Sequence, residues 1–495
     1  MSFLLFPNQL FELKYIPKKY HKYNFYLLEH PKFYGLTKNN IINEKMNFNK
    51  KKIILHKASC LSYINNMKNK INIIYTSTYP LIKNNEIIIF DLVDDYLMEE
   101  INKNYKNNKI TILDSPNFIT SKENLKKYYE DHKNKNYIHS SFYKFQLKIH
   151  NIPYIKLNKS YDIHNRNAIP LNTDLTKLSI KKLNKNNINN KNKFLNEGKK
   201  FVEDNFKNNY GSSEIEEFYI PITHKEAKIF FNNYLHHRMQ YFAIYQDAIV
   251  PEELFLYHSA ISSIINIGLI NPKYIVEKLI KMYDTKKITL QNYEAYIRQI
   301  IGWREYQRFI YIYLKNNILN VNYFNNKRLM TKHWYHGTLG IPPVDDAIKM
   351  AFKYGYIHHI LRLMVMCNFM NLCNLNPNEV YKWFMEFSTD SYEWVMVGNV
   401  YSMGLWSDGG ITMRKPYIST DNYINEMSKN RYIKENDEEW QVIWKSLYYN
   451  FLMKNKNKLR KTIYNRNIKY LNKMDNEEKK NIKRISELFI NKITK

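Results

Sequence analysis

The 495-residue sequence predicts a parallel, Rossmann-like α/β domain at its N-terminus followed by an all-α C-terminal domain. Three observations carry that expectation. Strand-length apolar runs flank a helix-length segment over residues 1–120. A Lys/Asn-rich stretch, Lys181 to Lys200, then loses every apolar period. From Phe218 to the end, apolar residues recur at helical spacing. The chain therefore divides into residues 1–120, a connector over 121–215, and a helical region over 216–495.

Phe3–Phe6, Tyr26–Leu28, Ile71–Tyr75 and Ile87–Phe90 are branched or aromatic runs of strand length, and Ile53–Met67 reads as the helix between them. Ligands of such sheets sit at the carboxyl ends of strands, here near Pro7-Asn8-Gln9 and Glu29-His30. Lys181–Lys200 reads as a solvated linker, whereas Phe142–Tyr154 is apolar enough to pack. Thr223 with Glu226 forms a capping box ahead of an apolar run. Ser259, Ser262 and Ser263 cluster where a helix should start, a place suited to a diphosphate or merely to a cap.

The net charge of +29 favours phosphate-rich partners, although lysine travels with asparagine and isoleucine, as A/T-rich codons would make it. Cys60, Cys367 and Cys373 are sparse and contain no CxxC pair, which argues for a reducing compartment and against a disulfide framework or shared metal. No run of about 20 apolar residues is present to span a membrane, and the start lacks the basic n-region of a secretory signal.

Gly355–Asn399 organises the chain. Ile357, Ile360, Leu361, Met364, Val365 and Phe369 define a buried helix face, yet the same helix carries His358, His359 and Arg362. Buried polar groups need partners or a polar ligand. The adjacent histidines diverge by about 100° around the axis, so one can face a cofactor and the other a substrate.

The run GYIHHILRLMV, followed by NFMNL, WF, DSYEWV, GN, MG, DGG and KPYIS, resembles the photolyase/cryptochrome superfamily, and more narrowly the bacterial-type (6-4) photolyases. YQDA, Ser259–Ile264 and RQIIGWRE extend the likeness. The resemblance implies an antenna domain with a lumazine-type chromophore at the NQL and EHPKFY loops, and a helical domain that binds FAD. It implies repair of ultraviolet-damaged DNA by light-driven electron transfer from reduced flavin to a flipped lesion, by a monomer with access to DNA. By the same resemblance His359 is the proton donor, His358 packs toward the flavin, and Tyr417 and Met403 line the lesion pocket with Trp303 at its entrance. Gln246, Ser259, Ile261, Ser262, Gln299, Arg304, Arg362 and Asn399 would hold FAD, with Asp390 pairing Arg362. Trp383 beside the flavin and Trp334 near solvent would relay electrons, with Trp394 the next candidate.

Three departures qualify the match. The four cysteines of the family's iron-sulfur cluster are missing, so no cluster is expected. Phe384 stands where a tyrosine is usual. Met396 replaces an acid expected near the flavin ring. His359 and Tyr417 favour an enzyme, whereas Met396 and the lost cluster favour a cryptochrome-like photoreceptor without repair activity. A flavin-free structural nucleic-acid-binding protein is the third possibility.

Overall fold

A computed structural model describes residues 1–82, 86–133, 137–152, 166–178, 191–433, 439–459, 462 and 464–495. The expected strands form at β1 (Ser2–Leu5), β2 (Asn24–Leu28), β3 (Ile73–Thr76) and β4 (Ile87–Phe90). A fifth, β5 (Ile110–Leu113), was not foreseen, because ITIL is short and follows a polar run. All pairs are parallel, in the order β3-β2-β1-β4-β5. Phe3 sits in register with Phe25 and Ile88, and its ring stacks on Phe25 at 5.0 Å. The central strands are buried on both faces, as parallel sheets require.

Helix Lys50–Met67 crosses between β2 and β3, and Asp95–Asn104 between β4 and β5. The Lys/Asn-rich stretch departs from its expected character. Residues 179–190 lie outside the described set, but Lys191–Asn205 is a helix packed along Lys50–Met67. Leu195 and Val202 are buried, and a Cβ on Gly198 would come within 3.2 Å of the Ile54 carbonyl. Phe194, Leu195, Phe201 and Val202 are a sparse apolar stripe diluted by lysines and asparagines, so the helical period is hard to see. Phe142 packs as expected on helix His139–Ile149; Tyr154 lies outside the described residues.

The sheet's carboxyl edge is bolted to the helical region. Arg308, fully buried on helix Glu305–Leu319, pairs with Asp91 at 3.0 Å and donates to the Thr120 carbonyl. From His224 onward the described regular elements are helical. Three of them are π-helical segments, Arg298–Arg304, Leu361–Cys367 and Val397–Gly404. Such wide turns displace side chains from the α-helical register and cluster at functional sites. Here they hold the RQIIGWR, LRLMVMC and VGNVYSMG motifs. Val397–Gly404 lies against helix Glu305–Leu319 because Gly398 has no side chain; a Cβ there would stand 1.9 Å from Gln307 Oε1.

Burial also sets an acid limit on stability. His56 and His358 are fully buried, and desolvation holds both imidazoles down to about 3. Below the ordinary imidazole value the unfolded chain binds protons that the folded chain refuses, so stability is full above about pH 6.5 and falls as pH drops toward 3. Two such groups give a slope of up to about 2.7 kcal/mol per pH unit. The urea midpoint is expected to fall steadily between about pH 6 and pH 4 and to recover part of that loss in His56→Gln; a flat profile would show that neither histidine is buried neutral.

Candidate functional site

The three π-helical segments and the loop ahead of Ser262–Asn266 enclose an inner cavity of about 300 Å³. An adjoining outer cavity of about 480 Å³ shares Gln299, Trp303, His359, Leu363, Asn399 and Met403 with it.

The polar floor of the inner cavity is an ion pair. Arg362 donates to both Asp390 oxygens, at 2.9 and 3.2 Å, and to the Ile357 carbonyl. Ser262 donates to Asp390 Oδ2 at 2.5 Å, and Ser388 bonds the other oxygen. Burial pushes the Asp390 carboxyl up, but Arg362 and the two hydroxyls hold it below the usual range. The Arg362–Asp390 pairing is the one the motif implied. Arg304 lines the same cavity, fixed by Asn266 Oδ1 and the Asn117 carbonyl and packed against the rings of both Phe118 and Trp394 at 5.1 and 4.9 Å. Burial lowers its pKa to about 10. Ser259, Ile261, Ser262, Gln299 and Asn399 line the inner cavity, as does Met396.

Several placements differ from expectation. Gln246 lines the outer cavity, not the inner one. His358 is buried behind the wall, with both ring nitrogens unpartnered and its ring stacked on His258 at 4.7 Å. It is His258 that lines the cavity, a residue passed over although it directly precedes the Ser259 cluster. Phe384, not Trp383, forms the wall, and Trp383 packs behind it at 5.1 Å. Trp334 is fully buried, because the C-terminal helix Asn476–Ile493 covers it and its indole N–H donates to the Ile493 carbonyl at 3.0 Å. Trp394 is buried against Phe118 and Arg304.

His359 lies in the wall common to both cavities, and about half of its side chain is exposed there. Its Nε2 stands 3.9 Å from Asp247 Oδ1. Arg166 stands 3.7 Å from Asp247, and the Tyr423 hydroxyl donates to Asp247 Oδ2 at 3.5 Å. Desolvation lowers the His359 pKa while Asp247 opposes the shift. Asp247 was legible only as part of YQDA, and Arg166 and Tyr423 carried no sequence signal. Trp303 stacks on His139 at 3.7 Å and 11°, and Met403, Lys415 and Tyr417 complete the outer cavity.

The inner cavity fits a large heteroaromatic ligand with polar edges. His258 Nε2 belongs to a lining residue and is buried without a partner, and an orphaned polar atom in a wall is satisfied by a ligand. At the antenna loops several polar groups already have protein partners, although Asn8 Oδ1 and Gln9 Oε1 are buried without one. His30 is engaged by Glu100 at 2.5 Å, Glu29 by Lys57 at 2.8 Å, and Gln9 donates to the Phe90 carbonyl. A cavity built partly from Lys32 and Phe33 of that stretch measures about 40 Å³, far below the several hundred Å³ of an ordinary ligand site. Cys60, Cys367 and Cys373 are free and buried, with Cys367 in the inner cavity wall. No group of three or more His, Cys, Asp or Glu poised for a metal occurs among the described residues. Nor is any helix among them long and apolar enough to cross a membrane.

Comparison with known proteins agrees with this geometry. A family model described as the FAD binding domain of DNA photolyase matches residues 280–430. Another, for deoxyribodipyrimidine photo-lyase-related protein, matches residues 3–218. The (6-4) photolyase of Agrobacterium fabrum is 33% identical over 264 residues, which is 52% of this chain and 52% of that protein, so the match spans about half of each. An uncharacterized protein of Acanthamoeba polyphaga mimivirus is 53% identical over 117 residues, 24% of this chain and 89% of that protein. Among solved structures, the Synechocystis cryptochrome aligns over 92% of this chain and 89% of its own with TM-score 0.59 at 12% identity. A bacterial class III photolyase from Agrobacterium tumefaciens aligns over 99% and 98% with TM-score 0.57 at 11% identity. The chain belongs to the photolyase/cryptochrome superfamily, among the bacterial-type photolyase-related proteins.

Proposed function

We propose that this protein is a light-driven, FAD-dependent photolyase that repairs ultraviolet-damaged DNA, with the (6-4) photoproduct as its lesion. The observation that carries this reading is the position of His359, which opens to the inner cavity on one side and to the outer cavity on the other. Arg362, Asp390, Ser262, Arg304, Gln299 and Asn399 would hold FAD in the inner cavity. When bound, FAD supplies the photoexcited electron. The stacked pair Trp303–His139 with Met403 and Tyr417 frames the outer cavity for a base turned out of the duplex, as any base reaching so recessed a site must be. Lys415 also lines that cavity, where Arg166 and Arg298 are paired with the lining carboxylates Asp247 and Glu294. His359 holds or releases a proton at the substrate, and the Asp247 charge 3.9 Å away favours its protonated form. A cryptochrome-like photoreceptor is the second reading, favoured by Met396 in the inner wall.

The test is the absorption spectrum of purified protein followed by illumination with damaged duplex. About one FAD per chain and light-dependent loss of (6-4) lesions are expected. Flavin without repair would leave the photoreceptor reading, and protein that takes up no flavin would remove both. Arg362→Ala leaves Asp390 buried and unpaired, which costs roughly 3–5 kcal/mol; the FAD-to-protein absorbance ratio of this variant is expected to collapse.

A further inference from the structure

Across the core from these cavities lies an open groove of about 870 Å³ between the end of helix Glu439–Lys454, the C-terminal helix and the loop at Asn325–Arg328. It shares no residue with either cavity. Between them stand Phe384 in the cavity wall, Trp383 behind it, and Trp334, whose carbonyl accepts from Trp383 and whose indole reaches Ile493.

Lys327, Arg328, Lys454, Lys479, Lys480 and Lys483 line the groove. They come from three segments, residues 327–328, 454 and 479–483, and the fold brings the first two to the lysine run of the last. Among the described residues Glu487 is its single acidic lining residue, 3.8 Å from Lys483. Among the described residues the Arg328 and Lys454 side chains bond to asparagine oxygens, those of Asn491 and Asn374, and Lys479 donates to the Met474 carbonyl. Bringing like charges together opposes folding unless an anion neutralises them. Burial lowers the Lys454 pKa, and Lys458 and Arg328 push it further down. Asn325, Asn450 and Asn476 add neutral polar groups to the walls.

We infer that this groove binds the phosphate backbone of a nucleic acid, as a second contact surface independent of the cavity that would take a lesion. A concave, cationic and amide-rich trough matches a sugar-phosphate chain, which is gripped by lysine, arginine and asparagine without base readout. It lacks the broad apolar face needed to enter a lipid surface.

The experiment uses full-length protein and a short undamaged duplex in the dark, so that its outcome does not depend on repair. Lys479→Gln/Lys480→Gln/Lys483→Gln removes three contacts at the groove's rim. The slope of log affinity against log salt is expected to become shallower by roughly 2 to 3, with a loss of at least about tenfold in affinity at moderate salt. In wild-type protein the duplex should also protect Lys454 from acetylation, a readout that does not depend on the variant folding. An unchanged slope, a Lys454 that acetylates equally with and without duplex, or protection by phosphatidylserine vesicles but not by duplex would each overturn the assignment.

Discussion

His359→Ala is expected to abolish light-driven lesion repair, by at least about a hundredfold, the lower range for loss of a positioned proton donor, while changing duplex affinity by no more than a few-fold. The side chain faces both cavities but makes no hydrogen bond that the fold requires, so its removal should spare the structure. The pH profile separates a proton-transfer role from simple packing. Desolvation in the recess between the cavities lowers the His359 pKa below its ordinary value and Asp247 partly restores it. At neutral pH the protonated fraction is therefore small and grows as pH falls, so the repair rate should rise toward mildly acidic pH. Asp247→Asn removes the restoring carboxylate, lowers the pKa further and shifts the profile to lower pH. Neither shift would occur if His359 only filled space. Repair that survives His359→Ala would place the proton donor elsewhere, with Tyr417 the next group in the outer cavity.

What could be read in advance divides along physical lines. Strand and helix placement follow from local apolar period, so β1 to β4 and helix Lys50–Met67 were legible. Helix Lys191–Asn205 was not, because its apolar stripe rests on a few residues and a glycine that only the Ile54 contact explains. The Arg362–Asp390 pair was visible because both residues sit in contiguous motifs. Which ring faces the cavity was not. Adjacent residues such as His358 and His359, or Trp383 and Phe384, differ in placement by a fraction of a turn. Leu361–Cys367 and Val397–Gly404 are wound wider than an α-helix, so a 3.6-residue wheel points their side chains wrongly. Burial of Trp334 depended on a helix some 150 residues later, which no local pattern announces.

That covering of Trp334 changes what is expected of the electron route. Indole and phenol rings relay electrons because their oxidised forms can shed a proton. Trp334 has its N–H committed to the Ile493 carbonyl and no exposed surface, so it cannot hand charge to solvent directly. Tyr335, its neighbour on helix His333–His336, is half-buried and stacks on the half-buried Tyr210 at 4.9 Å. The Glu386 carboxyl, raised by burial to about 7, lies beside Tyr335 and can take its proton. Phe352 bridges Tyr335 and Trp383, at 5.8 Å from each. The outlet is therefore expected at Tyr335, with Trp383 as the common relay toward Phe384 and the inner cavity. A barrier higher by only about 1.4 kcal/mol slows a step tenfold, and benzene is harder to oxidise than indole by more than that. Under steady blue light with an external reductant, Trp383→Phe should slow bleaching of bound flavin by at least about tenfold. Tyr335→Phe should slow it at least as much as Trp334→Phe, and Phe384→Tyr should change it little. Wild-type bleaching in Trp383→Phe would show that electrons reach the cavity from another side, with Trp394, packed on Arg304, the next ring to replace.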